Sequence, residues 1–210
     1  MTVTRPSTSL RTGLRAALLA PLAAVSLAGC GLNSVPTAEE NVNARFADVQ
    51  ADYQRRSDLI GNLVETVKAA AAQESTVLIG ISEARARATQ TTLSPADLSD
   101  PAKVAAFEQA QAQVGIAVRP LMGPMIQERY PELKSLQNFS SLQDQLEGTE
   151  NRINASRRDY NTAVQSYNVR IRTFPDAIGA KIFYGAKPKV PFAAAAAAQE
   201  APKVDFGNAS

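Results

Sequence analysis

The chain has 210 residues, 45% of them apolar and only 6% aromatic, which suits one domain with tails and a core of aliphatic side chains. It contains no His and a single Cys, which removes the commonest general base and zinc ligand and excludes an internal disulfide or a thiolate metal site. The formal charge of +2 reflects Arg5, Arg11 and Arg15; beyond residue 29 stand 19 basic and 20 acidic residues, a balance that gives no reason to expect nucleic acid.

Those three arginines precede an apolar run of 14 residues, Ala16 to Gly29. A bilayer-spanning helix needs about 20 residues, and Pro21 interrupts this one, so residues 1–29 read as a secretory signal peptide. The run closes on Leu27-Ala28-Gly29-Cys30, which resembles the bacterial lipobox, where the thiol is acylated and becomes the first mature residue. An ordinary signal peptide that contains Cys and a short transmembrane anchor are the other readings. Several acyl chains would anchor the protein firmly, since one alone holds only marginally. Residue 31 is Gly rather than Asp, which in a Gram-negative cell favours the periplasmic side of the outer membrane.

Residues 30–36 read as a tether, and Thr37-Ala38-Glu39-Glu40 offers a capping box. No proline then appears until Pro95. Phe46, Tyr53, Ile60, Val67, Glu74, Ile81 and Ala88 recur every seven residues, with Val49, Arg56, Leu63, Ala70, Val77 and Ala84 as the companion seam. The pattern predicts one long helix to about Thr92, with Arg56 and Glu74 as polar exceptions and Gly61 as the place for a bend. Pro95 and Pro101 break the chain. A second helix is expected from there to about Arg129, with Val104, Phe107, Val114, Val118, Leu121, Met125 and Ile126 inward and a kink at Pro120, Gly123 and Pro124.

The third helix carries Phe139, Leu146, Ile153, Tyr160, Tyr167 and Phe174 seven apart, with Ser140 and Ser141 as candidate caps. Small Thr149, Ser156 and Ala163 beside them permit close approach of a neighbour. A second strip, Glu147, Asn154, Asn161 and Asn168, repeats at the same interval about 100° around the helix. Asn is a mediocre helix former, so the strip asks for a reason. Either it bonds a neighbouring helix, with Arg56 or Asp58 as partner, or it is a recognition strip for another protein. A short fourth helix, Asp176 to Phe183, could close the bundle. The domain limits are thus 37–184 for the bundle and 185–210 for a Pro/Ala-rich, disordered tail. Within that tail Pro188-Lys-Val-Pro-Phe192 and Pro202-Lys-Val-Asp-Phe206 echo each other, and peptides of this kind can dock on a partner.

Residues 53–68, YQRRSDLIGNLVETVK, and Glu83-Ala-Arg-Ala-Arg87 resemble the first helix of the LemA family. Tyr130-Pro-Glu-Leu-Lys134, Asn138-Phe139, Glu150-Asn-Arg-Ile153, Arg157, Tyr160-Asn161, Tyr167-Asn168, Phe174-Pro175 and the closing PKVDF are similar to the rest of its pattern. The resemblance covers about residues 38–206. It implies an antiparallel helical bundle attached at its N-terminus to a bacterial membrane, and no agreed activity, cofactor or catalytic residue. Gly61 stands where the family usually has Pro, and Phe46 where many members have Trp. Many members carry a transmembrane segment, where LAGC here suggests a lipid.

Enzyme templates fail on inventory. A Ser-His-Asp or Cys-His arrangement needs His, as do the Glu-x-x-His pairs of dimetal bundles, and no Gly-rich phosphate loop precedes a helix. Asp144, Glu147 and Glu150 fit a helix dipole better than acid–base chemistry. Arg55-Arg56 and Arg157-Arg158 could meet lipid headgroups, although Asp52, Asp58 and Asp159 invite pairing within the chain. The expectation is an all-α, antiparallel up-and-down bundle with three long helices and a short fourth. It carries no cofactor or metal, is lipidated at Cys30, and binds protein partners in the envelope without catalysis. The alternative is a lipid or apolar-ligand binder that opens a groove at the kinked second helix, near Met122 and Met125.

Overall fold

The computed structural model describes residues 33–70, 75–122 and 137–193. Helix α1 spans Ser34–Ala70, α2 Ser75–Gln90, α3 Pro101–Met122, α4 Gln137–Arg170 and α5 Asp176–Ile182, with a 3-10 turn at Pro95–Ser99. Arg170 reaches Ser34 O at 3.4 Å, Phe46 meets Tyr160 at 5.9 Å and Arg56 meets Glu150 at 3.0 Å, so α1 and α4 run antiparallel. Tyr53 with Phe107 and Arg56 with Gln111 set α3 parallel to α1. This is the all-α bundle that the seven-residue periodicity predicts, in the antiparallel arrangement that the family resemblance implies.

The segment to Thr92 differs from its expectation: it forms two helices. Arg85 Nε donates to Ser57 Oγ at 2.9 Å and Gln50 Nε2 to Leu93 O at 3.1 Å. In one straight helix, residues 57 and 85 would stand about 42 Å apart. α1 ends at Ala70 and α2 begins at Ser75, and Glu74 lies outside the described residues. Burial drives the return, because Leu78, Ile81, Ala84 and Ala88 find cover in the core that α1 and α3 build. Gly61 does not end or interrupt α1. A Cβ there would stand 3.1 Å from Arg85 Nη1, so the missing side chain lets the arginine lie across α1.

Helix starts also move. α1 begins at Ser34, with Pro36 in the first turn, where an N–H would lack a partner anyway. Thr37 is not a cap; its hydroxyl donates back to Asn33 O at 2.7 Å. α4 begins at Gln137, which puts Ser140 and Ser141 inside the helix. α3 continues through Pro120 to Met122, and Pro124, Met125 and Ile126 lie outside the described residues.

The α4 stripe is buried from Phe139 through Tyr167, together with Thr149, Ser156 and Ala163. Each large apolar member contributes roughly 1.5–3 kcal/mol. Phe174 is the exception, at 82% exposure, because α4 ends at Arg170 and the turn after it breaks the seven-residue register.

The core has two parts. One gathers Val42, Phe46, Val49, Tyr53, Phe107, Ile153, Tyr160 and Tyr167; the other gathers Ile60, Leu63, Val67, Ile81, Val118, Leu121, Phe139 and Leu146. Arg56, only 5% exposed, sits in sequence between the α1 members of the two clusters. It donates to Glu150 at 3.0 Å and to the carbonyl and side chain of Gln111 at 2.9 and 2.7 Å. A buried guanidinium needs such partners.

Candidate docking groove

Two asparagines of the predicted strip face the same side of α4. Asn161 Nδ2 donates to Phe192 O at 2.9 Å while its Oδ1 accepts from Phe192 N at 2.8 Å. Asn168 repeats the exchange with Lys189, at 2.8 Å to the carbonyl and 2.9 Å from the N–H. Each side-chain amide thus supplies the donor and acceptor that a neighbouring β-strand would supply. Seven residues of helix rise about 10.5 Å, and three residues of extended chain span about 10 Å, so amides a heptad apart match anchors three apart. The strap, residues 186–193, therefore runs extended and antiparallel to α4. The partners anticipated for the strip, Arg56 and Asp58, do not receive these amides.

The opposite edge of the strap is held too. Val190 N donates to Leu98 O at 2.8 Å, and Tyr160 Oη donates to Val190 O at 3.0 Å. The 3-10 turn exists in position to do this because Leu98 is fully buried and the Asp97 carboxylate accepts the Ser94 N–H. Asp97 also pairs with Lys103, and these bonds hold its carboxyl well below the usual range.

Side chains fix the strap's register. Phe192, 3% exposed, lies 4.7 Å from the Tyr160 ring and 6.2 Å from Phe107, with the Arg157 guanidinium 5.2 Å from its centroid. Aromatic pairs of this kind contribute about 0.5–1.5 kcal/mol beyond their burial. Lys189, 7% exposed, pairs with Glu39 at 2.8 Å, donates to Pro95 O at 3.3 Å and lies over the Tyr167 ring. Arg157 Nη2 closes the end, donating to Glu108 at 2.6 Å and to Ala193 O at 2.7 Å, while Ala193 N donates to Glu108 at 3.0 Å. Burial pushes the Glu108 carboxyl above its usual value, against the pull of Arg157 and the Ala193 N–H. Burial likewise raises Tyr53, whose hydroxyl accepts from Arg157 at 3.4 Å.

The expected disordered tail is therefore corrected over residues 186–193, where Lys189 and Phe192 are buried and the main chain is bonded to α4 and the 3-10 turn. The second copy of the motif, 202–206, lies outside the described residues, as does Cys30. Asn154 and Glu147, the remaining members of the strip, are exposed. Asn154 borders a cleft of about 480 Å³ with Glu108, Gly115, Arg119, Arg157 and Ala193, starting where the described strap stops. Arg56 and Arg157 pair within the chain, with Glu150 and Glu108 rather than the neighbouring acids in sequence, and Arg55 and Arg158 face solvent.

Among the described residues no group of three His, Cys, Asp or Glu side chains could hold a metal, and no helix is long and apolar enough to cross a membrane. Met122 lines an apolar cleft with Ile60, Val114, Val118 and Leu146 of about 190 Å³, below the roughly 300–1,000 Å³ of small-molecule sites.

The model of the LemA family matches residues 45–206. Among curated proteins the chain is similar to the magnetosome proteins MamQ 1 and MamQ 2 of Paramagnetospirillum magneticum and MamQ of Magnetospirillum gryphiswaldense, at 27% identity over 163 residues in each case. The match covers 68% of this chain and 58% of each relative, so the chain spans less than two thirds of their length.

Proposed function

Because the chain belongs to the LemA family, we propose that it is a lipid-anchored, non-catalytic interaction protein of the bacterial envelope, whose groove holds extended polypeptide. One observation carries the reading. The amides of Asn161 and Asn168 bind main chain through both its N–H and its C=O, and Asn154, the next member of the strip, stands open beside the cleft. Main-chain bonds give affinity and side-chain pockets give selectivity, as in strand addition to a sheet edge. The sequence Leu27-Ala28-Gly29-Cys30 supports acylation at Cys30, and tethering raises the local concentration of the bundle at the membrane. The magnetosome role in the names of the MamQ relatives is not carried over, since the match covers 58% of each relative.

Two measurements test it. Metabolic labelling with a clickable fatty acid should mark the protein and fail on Cys30→Ser; equal labelling of the variant refutes the anchor. A photo-crosslinking residue at Asn154 should trap discrete protein partners in cells, whereas the same residue at Arg87, exposed on α2, should not. Adducts of equal pattern from both positions, or adducts with lipid alone, refute the groove as the partner site.

A further inference from the structure

We propose that the end of the bundle carrying α5 is a membrane-docking face, in which Phe174, Ile178, Ile182 and Phe183 enter the phospholipid surface that holds the N-terminal anchor. The identity of that membrane rests on the anchor reading above. The face itself does not.

α5 is packed with its amphipathy reversed. Its inward residues are small, Gly179 and Ala180, and Ala180 joins the core cluster that includes Val35. Its large apolar residues turn outward, Ile178 53% exposed and Ile182 69%, as do Phe183 just after it at 68% and Phe174 just before it at 82%. Elsewhere Ile79 and Ile116 are exposed singly on separate helices, which asks for no explanation. Here four lie within ten residues, with Ile178 and Ile182 one turn apart on the same face of α5, and such a concentration of exposed apolar side chains marks an interaction surface.

Position and charge identify the occupant. Arg170 binds Ser34 O at 3.4 Å and approaches Asp176 at 4.0 Å, so the patch lies at the end of the bundle where α1 begins. Ser34 stands four positions after Cys30, a reach of at most about 14 Å. Residues 170–187 contain Arg170, Arg172, Lys181 and Lys187 against the single acid Asp176, within a chain that is near neutral beyond residue 29. Arg172, Lys181 and Lys187 are exposed. Bulky apolar side chains ringed by cations suit the boundary between acyl chains and anionic headgroups.

The chain has no Trp, so Phe183→Trp provides a single reporter and Ile79→Trp a control on α2. The full mature, acylated chain is reconstituted in vesicles of phosphatidylcholine and phosphatidylglycerol with brominated acyl chains. Emission of the F183W chain should shift to the blue and be quenched at least twofold, while that of the I79W chain does neither; I182W should repeat the F183W result. Unquenched emission from both α5 reporters overturns the proposal. A blue shift without bromine quenching also overturns it, in favour of a face shared between two copies. In the Cys30→Ser background, F183W should still bind phosphatidylglycerol vesicles, and adding F174S and I182S should lower that partitioning at least tenfold with unchanged circular dichroism. Unchanged partitioning overturns the face. Fatty-acid labelling of the same preparations reports on the anchor separately, so either reading can fail alone.

Discussion

Tyr160 and Tyr167 stand one heptad apart on α4, both with no exposed surface, yet their hydroxyls differ. That of Tyr160 donates to Val190 O; that of Tyr167 is buried without a partner among the described residues. A buried hydrogen bond contributes about 0.5–1.5 kcal/mol, whereas an unpaired buried hydroxyl contributes nothing and carries its desolvation cost. Tyr160→Phe should therefore lower stability by about 1 kcal/mol, and Tyr167→Phe should leave it equal or higher, read from urea midpoints at constant slope. The pH dependence follows from the same burial. Burial, with Glu39 adding to it, pushes Tyr167 up to about 12 from 10.0, and burial drives Tyr160 upward as well. Between those values the unfolded chain has released the proton that the folded chain keeps, so stability should fall as pH rises through that window. Tyr167→Phe should flatten the alkaline fall; an unchanged slope would show that its hydroxyl titrates as it does in water.

At the scale of elements, the asparagine strip and the strap form one unit. Asn161→Ala with Asn168→Ala removes four main-chain bonds and leaves the Phe192 pocket intact. Because water can replace part of what is lost, the expected cost is about 1 kcal/mol per site. Amide exchange at Lys189 and Phe192 should accelerate far more than exchange in α1, the signature of local opening. Uniform acceleration would instead make the strap part of the global fold. Arg56 behaves differently because it is enclosed. Arg56→Ala removes a buried side chain and strips Gln111 of its donor, for an expected loss of about 2–4 kcal/mol in thermal or urea denaturation. Glu150, 47% exposed at its side chain, can return to water when Arg56 is lost, whereas Glu150→Ala leaves the buried guanidinium without its carboxylate and with Gln111 alone, for an expected cost of about 1.5–3 kcal/mol. The α4 stripe and the α3 face were legible because one buried face imposes one period. The strip was legible as an oddity, and its partner was not: helix register sees only its own element, and the match between seven helical and three extended residues appears once both are placed. Helix starts moved for a local reason, since Pro36 and Ser140 are as compatible with a first turn as with the residues before it.

For the whole molecule, the decisive feature is the reversal between α1 and α2, which turns one long rod into two packed helices. The heptad count concealed it. Ile60, Val67, Ile81 and Ala88 stay in phase on both sides, since a turn that preserves register leaves no mark on a count of sevens. The polar interruption at Glu74, with Ser75 and Thr76 after it, was the available signal, because Ser and Thr favour helix starts. The reversal also sets the site: it returns the chain to Leu93 beside Gln50, which places the 3-10 turn and Leu98 O against the strap. Spin labels at Asp58 and Ala86, both exposed, measure this directly. Packed helices lie about 8–10 Å apart, so with label linkers the pair should read under about 25 Å, whereas a continuous helix would separate the same 28 residues by about 42 Å. A distance near the larger value would leave Leu98 with no reason to stand beside Val190, and the groove would go with it. Measured on acylated protein in vesicles, the short distance should persist, because the reversal lies at the end of α1 away from Ser34 and its lipid.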